Sequence, residues 1–158
     1  MAKGTPATMA LQHAGIAFTL REYDYDPDAV HIGLQAAQAL GVDPARLLKT
    51  LMARAGRETV CVLVPSDREV SLKKLAAAAG AKEAAMLPAA EAERVTGYHV
   101  GGISPFGQKK RVPVVIDDAA LAHSTVFLNG GQRGLQIEIA PAAAQQALGA
   151  VARPIAAE

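Results

Sequence analysis

The chain has 158 residues, with 16 lysines and arginines against 15 aspartates and glutamates, one cysteine, no tryptophan and 51% hydrophobic residues. That length fits one domain of the ordinary ~100–200 residues, which buries roughly two thirds of its unfolded surface without a disulfide or metal staple. Cys61 as the lone thiol excludes an intramolecular disulfide framework and a multi-cysteine zinc site, and fits a reducing, cytoplasmic compartment. The N-terminal stretch carries Lys3 but no signal-length apolar core, and no run of ~18 apolar residues occurs, so secretion and membrane spanning are disfavoured. A net charge of +1 attracts no polyanion globally, so any nucleic-acid contact must come from a local patch.

In chain order, Thr5-Pro6 reads as an N-cap with proline at the first helical position, and Gly15 closes that helix. A strand is expected over residues 18–25, then a helix over 34–40 and a short helical turn over 44–48. Strands over 50–55 and 59–65 form a hairpin around Gly56-Arg57. Ser71 caps a helix over 72–79 that Gly80 ends. The chain holds 34 alanines, heavily placed in 34–40, 72–79, 84–92 and 141–150, so the last two segments are also read as helices. Strands over 112–117, 125–129 and 135–140 complete the pattern, the last two flanking the turn Gly130-Gly131-Gln132-Arg133-Gly134. The whole reads as a single mixed α/β domain over residues 1–158.

The segment from Gly97 to Arg111 is the strongest local irregularity. Four glycines and a proline between Gly97 and Gly107 forbid a regular helix or central strand, and glycine lets backbone N–H groups approach a ligand closely. An anion or carbonyl cradle and an ordinary surface turn both fit. Neither the Walker A nor the Rossmann spacing is met, because Gly101-Gly102 is followed by Ile103-Ser104-Pro105. Lys49 sits at a helix-to-strand junction, where it points into a cleft or lies along the surface. His13, His31, His99 and His123 lack metal-site spacing, so no metal is expected. Cys61 lies between valines in a strand, where burial makes a thiol inert, and Ser104 lacks a Gly-x-Ser-x-Gly frame.

Four segments occur together in a characteristic order: Tyr23-Asp24-Tyr25-Asp26-Pro27, Leu48-Lys49-Thr50-Leu51, the glycine segment through Lys109-Lys110-Arg111, and Gly130-Gly131-Gln132-Arg133-Gly134-Leu135. In these the chain resembles the YbaK-type Cys-tRNA(Pro) deacylases over nearly its whole length. The resemblance implies a mixed β-sheet curled into a barrel-like core with short helices around it. It also implies hydrolytic release of cysteine misattached to tRNA(Pro), and of cysteine from tRNA(Cys), without a cofactor. Prolyl-tRNA synthetase excludes cysteine poorly, because a hydrophobic pocket separates side chains of similar size by only ~1–3 kcal/mol. In the family's mechanism the substrate's own thiol attacks its ester, which agrees with the lack of a convincing protein nucleophile.

By the same resemblance Lys49 is the active-site lysine, and Gly101, Gly102, Ile103, Ser104 and Pro105 cradle the terminal adenosine and carbonyl. Tyr23 and Thr50 match pocket positions, and Gly130, Gly131 and Arg133 face the same cleft. Lys109, Lys110 and Arg111 match contacts to the tRNA backbone, with tRNA the expected partner and prolyl-tRNA synthetase a further one. Two positions depart from the pattern: Ile32 stands where an aromatic is common, and Gln136 where an acidic residue is. Deacylation of alanine or serine from tRNA, which needs an activated water, and a non-catalytic tRNA- or synthetase-binding module are the alternative readings.

Overall fold

The computed structural model describes residues 4–158, so Lys3 lies outside the described residues. The helices are α1 (Pro6–His13), α2 (Ile32–Leu40), α3 (Leu72–Ala78), α4 (Ala89–Thr96) and α5 (Pro141–Leu148). The strands are β1 (Thr19–Glu22), β2 (Leu48–Ala55), β3 (Glu58–Pro65), β4 (Ala84–Met86), β5 (Val114–Asp117), β6 (Val126–Asn129), β7 (Leu135–Ile139) and β8 (Val151–Arg153). Short 3-10 turns at Pro44–Arg46 and Asp118–Ala122 precede β2 and follow β5.

Local chemistry explains the element ends. Thr5 and Thr8 form a reciprocal capping box at α1, each hydroxyl accepting from the other's backbone N–H at 3.1 and 3.0 Å. Ser71 Oγ accepts from Lys74 N at 3.2 Å and starts α3. Gly56, with φ +61°, turns β2 into β3 through two residues, and Ala55 faces Glu58 across the ladder. The helix expected over 84–92 divides instead. Ala84–Met86 pair antiparallel with Ala53–Ala55, and α4 begins only after Pro88. Ladder pairing overrides alanine's helix propensity, and proline cannot sit inside the helix. β8 lies outside the expected strands, because three residues ending in Arg153 before Pro154 carry no strand pattern of their own.

Two sheets result, ordered β1-β7-β6 and β4-β2-β3-β5-β8. The first is wholly antiparallel, whereas β3–β5 and β5–β8 pair in parallel. The barrel-like closure implied by the family resemblance is absent among the described residues, since both sheets stay open. They meet at one parallel bridge, Leu47 to Phe127, and the edge strands β1, β4 and β8 are too short to pair across the gap. Leu48, Met52, Cys61 and Leu63 of the larger sheet pack against Val126, Leu128, Ile137 and Ile139 of the smaller, forming the main core. Val60, Val62 and Val64 pack on the other face with Leu75 of α3 and Ile155. Burial of β3 on both faces is why its sequence is a continuous apolar run.

The segment between α4 and β5 is a fixed loop rather than a strand or helix. Lys109 N and Lys110 N donate back to the carbonyls of Thr96 and Val95, and the Tyr98 hydroxyl donates to the Phe106 carbonyl. Ser104 Oγ accepts from Phe106 N, and the Gln108 amide donates to the Ser104 carbonyl at 3.0 Å. Gly107 stands at φ +66°, with its Cα against α1, where a Cβ would collide with the Pro6 carbonyl.

Gly107→Ala is therefore expected to destabilise the fold by about 2–4 kcal/mol, through positive φ and overlap with backbone together. Gly15→Ala, at φ +69° with nothing within 4 Å, should cost only about 1 kcal/mol. Urea unfolding of the two variants checks the difference, and equal costs would show that the loop does not rest on α1.

Candidate active site

A cavity of about 420 Å³ opens where β2 extends past its short neighbour. β4 pairs with Ala53–Ala55 only, and Leu87 N adds one bond to the Met52 carbonyl at 3.0 Å. Beyond the single bridge of Leu47 to Phe127, Lys49, Thr50 and Leu51 therefore have no ladder partner on that side, and the cavity lies beside them. Its walls come from the first turn of α2 at Ile32 and Gly33, from Lys49, Thr50 and Met52 of β2, from Leu87, and from Gly101, Ile103, Asn129 and Gln136.

Three side-chain atoms in these walls are buried without a hydrogen-bond partner: Tyr23 Oη, Thr50 Oγ1 and Gln136 Oε1. Each such atom costs roughly 1–3 kcal/mol against a satisfied one, so three around one cavity mark a surface shaped for a polar ligand. Gln136 is 4% exposed and brings an acceptor oxygen from β7. Burial raises the Tyr23 pKa above the ordinary 10.0, and the Gly134 backbone and the Gln136 amide oppose only part of the rise. Tyr23 is thus a neutral hydroxyl at physiological pH and can donate as well as accept. Gln136 lies near that hydroxyl without closing a well-formed hydrogen bond to it.

Lys49 is the second residue of β2, three residues past the 3-10 turn Pro44–Arg46. Its Nζ lies 3.3 Å from Glu69 Oε1, with side-chain exposures of 23% and 75%. So solvated a pair contributes at most ~1 kcal/mol, and an anionic or carbonyl ligand can take the carboxylate's place.

Of the residues singled out by sequence, Tyr23, Ile32, Lys49, Thr50, Gly101, Ile103 and Gln136 line this cavity together. Gly102, Ser104, Pro105, Gly130, Gly131 and Arg133 do not. Ser104 is fully buried in the turn of its own loop, and Pro105 faces a different hollow, beside α1. The two glycine loops pack on each other: a Cβ on Gly102 would lie 3.0 Å from Gln132 Cα, and one on Gly131 would lie 3.0 Å from the Tyr98 ring. Arg133 braces this contact, donating through Nε and Nη2 to the Val100 carbonyl and lying 5.4 Å from the Tyr25 ring centroid. Lys109, Lys110 and Arg111 are exposed, and none of the three lines the cavity.

Sequence reasoning missed several wall residues. Asn129 Nδ2 donates to the Gly101 carbonyl at 3.1 Å and its Oδ1 accepts from Gly131 N at 2.7 Å, joining both loops. An Asn ending a strand just before Gly-Gly is a turn signal that carried this information. Gly33 lets α2 approach Ser66, whose Cβ would be 2.8 Å from a Cβ on Gly33. α2 also begins without a side-chain cap, leaving its first-turn N–H groups at the rim. Val30, Met86 and Val100, exposed large apolar residues, stand around the mouth.

Cys61 is fully buried in the core, and desolvation pushes its thiol from an ordinary 9.0 up to about 12. Its nearest polar neighbour is the Gln108 amide, 3.7 Å away, and it does not line the cavity. No hydroxyl in the walls is bonded to a histidine or carboxylate: Ser66 Oγ donates to the Pro44 carbonyl, and Tyr23 and Thr50 have no partner. Among the described residues no group of three His, Cys, Asp or Glu side chains could hold a metal ion.

A model of the aminoacyl-tRNA editing domain matches residues 27–147. The chain is 38% identical over 126 residues to EbsC of Enterococcus faecalis, named as a candidate Cys-tRNA(Pro)/Cys-tRNA(Cys) deacylase, covering 78% of this chain and 76% of that one. It is 30% identical over 96 residues to the proline–tRNA ligase of Desulforamulus reducens, a match covering 60% of this chain and 17% of the ligase. A crystal structure described as a candidate trans-editing enzyme for prolyl tRNA synthetase superposes with a TM-score of 0.85, covering 99% of this chain and 100% of that one at 21% identity.

Thr50→Val should leave stability unchanged or raise it by up to ~1 kcal/mol, because it removes a buried hydroxyl that has no partner. Urea unfolding tests this; a loss above ~1 kcal/mol would mean the hydroxyl is satisfied in the free protein.

Native protein should resist alkylation of Cys61 at pH 8, whereas the unfolded chain reacts fast. From about pH 9 to 12 only the unfolded thiol ionises, so this group makes the fold less stable as pH rises through that window. Cys61→Ser should remove that part of the alkaline slope.

Proposed function

Because the chain belongs to the aminoacyl-tRNA editing domain family, we propose that it hydrolyses the ester of cysteine misattached to tRNA(Pro), acting in trans as a cytoplasmic deacylase. The observation that carries this reading is the cavity itself, where unpaired buried polar atoms and a lysine converge and no hydroxyl is activated as a nucleophile. Such a site suits a substrate that brings its own nucleophile.

In this mechanism the cysteinyl thiol attacks the ester carbonyl, forming a carbon–sulfur bond. The carbon–oxygen bond to the terminal ribose breaks, and the thiol proton passes to the departing ribose oxygen. Water then opens the cyclic thioester to free cysteine. The protein has to hold thiol and carbonyl together, and well-oriented groups reach effective molarities of ~10⁵ M or more.

Lys49 exchanges Glu69 for the charge that develops on the carbonyl oxygen. Gln136 Oε1 accepts from the substrate's ammonium group, while the Tyr23 and Thr50 hydroxyls bond the ester or the ribose. Ile32 forms the apolar wall beside the cysteinyl side chain, and Gly101 and Ile103 support the terminal nucleoside. Gly102, Ser104, Pro105, Gly130, Gly131 and Arg133 act one step away, by fixing the loops that carry Gly101 and Ile103. Lys109, Lys110 and Arg111, exposed and without ion pairs, contact tRNA phosphates. The match within a proline–tRNA ligase supports prolyl-tRNA synthetase as a partner in trans.

Lys49→Ala should retain the fold and lower deacylation of Cys-tRNA(Pro) by more than ~10²-fold, the effect of removing one oxyanion donor. Turnover of Cys-, Ala- and Ser-tRNA(Pro) by the intact chain tests the substrate. Equal rates for Ala- or Ser-tRNA(Pro) would exclude assistance by the substrate thiol.

A further inference from the structure

Nine of the described lysines and arginines are tied to a carboxylate or a carbonyl oxygen. Six are not: Arg57, Lys73, Lys82, Lys109, Lys110 and Arg111. Four of these six, Arg57, Lys82, Lys110 and Arg111, line one open depression of about 960 Å³, with Glu58 and Glu83 the carboxylates in its wall. Lys73 and Lys82 line the adjoining depression, and Lys82 and Glu83 belong to both. Five cations therefore form one stripe, against two carboxylates.

Three separate stretches build the stripe: the β2–β3 turn, α3 with its exit, and the tail of the glycine loop. Their backbones are pinned, Gly56 N donating to the Glu83 carbonyl at 2.9 Å and Lys110 N to the Val95 carbonyl at 3.1 Å. The charges thus sit on fixed backbone with no internal partner. Apart from Pro113 and the buried Val112 the rest of the wall is small or polar, and Leu72, beside Lys73, is the one exposed large apolar residue in the two depressions. Charge spread along an open channel, with little to insert into a bilayer, fits a phosphate backbone better than a small anion or a lipid surface.

The stripe lies at the hairpin end of β2, whereas Lys49 lies at the other end. Ala55 lies six residue steps along the strand from Lys49, about 20 Å at ~3.3 Å per step. Phosphates on the stripe consequently belong to nucleotides well removed from the one whose ester enters the cavity. Resting on the tRNA reading given above, we infer that Arg57, Lys73, Lys82, Lys110 and Arg111 form a docking track for the backbone of a base-paired RNA stem. Arg57, Lys73 and Lys82 are the new members, and they set the direction of the stem along the α3–β4 edge of the larger sheet.

The test uses the full-length chain with an RNA hairpin of mixed sequence carrying no amino acid, and its affinity followed across potassium chloride concentrations. Arg57→Gln/Lys82→Gln and Lys110→Gln/Arg111→Gln are compared with wild type after melting curves confirm their folding. Each double variant should flatten the plot of log affinity against log salt by up to ~1.8, at ~0.9 for each phosphate no longer neutralised, and weaken binding on the order of tenfold at ~0.1 M salt. A wild-type slope for Arg57→Gln/Lys82→Gln overturns the track, as does tighter binding of the wild type to phosphatidylserine vesicles than to RNA. Deacylation of Cys-tRNA(Pro) is measured separately. A chain with the expected salt slopes but no esterase activity keeps the track and refutes the deacylase reading.

Discussion

The arrangement of the cavity depends on one side chain, Asn129, which uses both ends of its amide on two glycine loops. Its Nδ2 holds the Gly101 carbonyl and its Oδ1 holds Gly131 N, so the loop after α4 and the turn between β6 and β7 are tied together. Backbone contact between them is possible because Gly102 has no Cβ to strike Gln132 and Gly131 none to strike Tyr98 and Thr5. Thr5 Oγ1 closes the same junction from α1, donating to the Gly130 carbonyl at 2.6 Å. Two of the cavity's walls, Gly101 with Ile103 and Gln136 two residues past Gly134, are placed by this junction. Each neutral hydrogen bond contributes only ~1 kcal/mol net, but several of them across backbone in contact leave the loops a single arrangement.

The cavity exists because β4 is short. Three residues of ladder, with only the Leu47–Phe127 bridge beyond them, leave Lys49, Thr50 and Leu51 unpaired on one side, and α2 and the Leu87 turn border the gap. Hydroxyl and amide groups directed into that gap stay unsatisfied, which lowers stability. The fold offsets this with β3, buried on both faces between two apolar clusters. Thr50 of β2 faces the cavity while β3, its hairpin partner, is buried on both faces.

The cations are divided in the same way. Arg21 and Arg46 share Glu138 at 3.3 and 3.5 Å and lie 5.6 and 5.2 Å from the Phe127 ring centroid, with Thr125 also bonded to that carboxylate. Arg54 is held by Glu91 at 2.6 Å. These charges are committed to packing the smaller sheet and α4 in place. Arg46, Lys49, Arg54 and Arg57 look like one basic cluster in the sequence, yet the strand between them carries each to a different neighbour. Lys49 keeps only a solvated pair with Glu69 beside the cavity, and Arg57, on the turn, has no internal partner at all.

Sequence alone determined the features that rest on local chemistry. The caps at Thr5 and Ser71, the Gly56-Arg57 turn, the inert thiol of Cys61 and most strands follow from residues that touch their own neighbours in the chain. Tyr23, Ile32, Lys49, Thr50, Gly101, Ile103 and Gln136, marked by the motifs, share one cavity, and no local pattern showed which neighbours would accompany them. Tertiary structure decided that Ala84–Met86 is a strand, because only the edge of β2 supplies the ladder that outweighs alanine's preference. It decided that the two sheets stay open, and that the remaining glycines pack loop on loop instead of lining the cavity. It also joined Arg57 and Lys82 to Lys110 and Arg111, and it put Asn129 between the two loops. Each of these turns on contacts between residues far apart in the chain, whose energies no local pattern records.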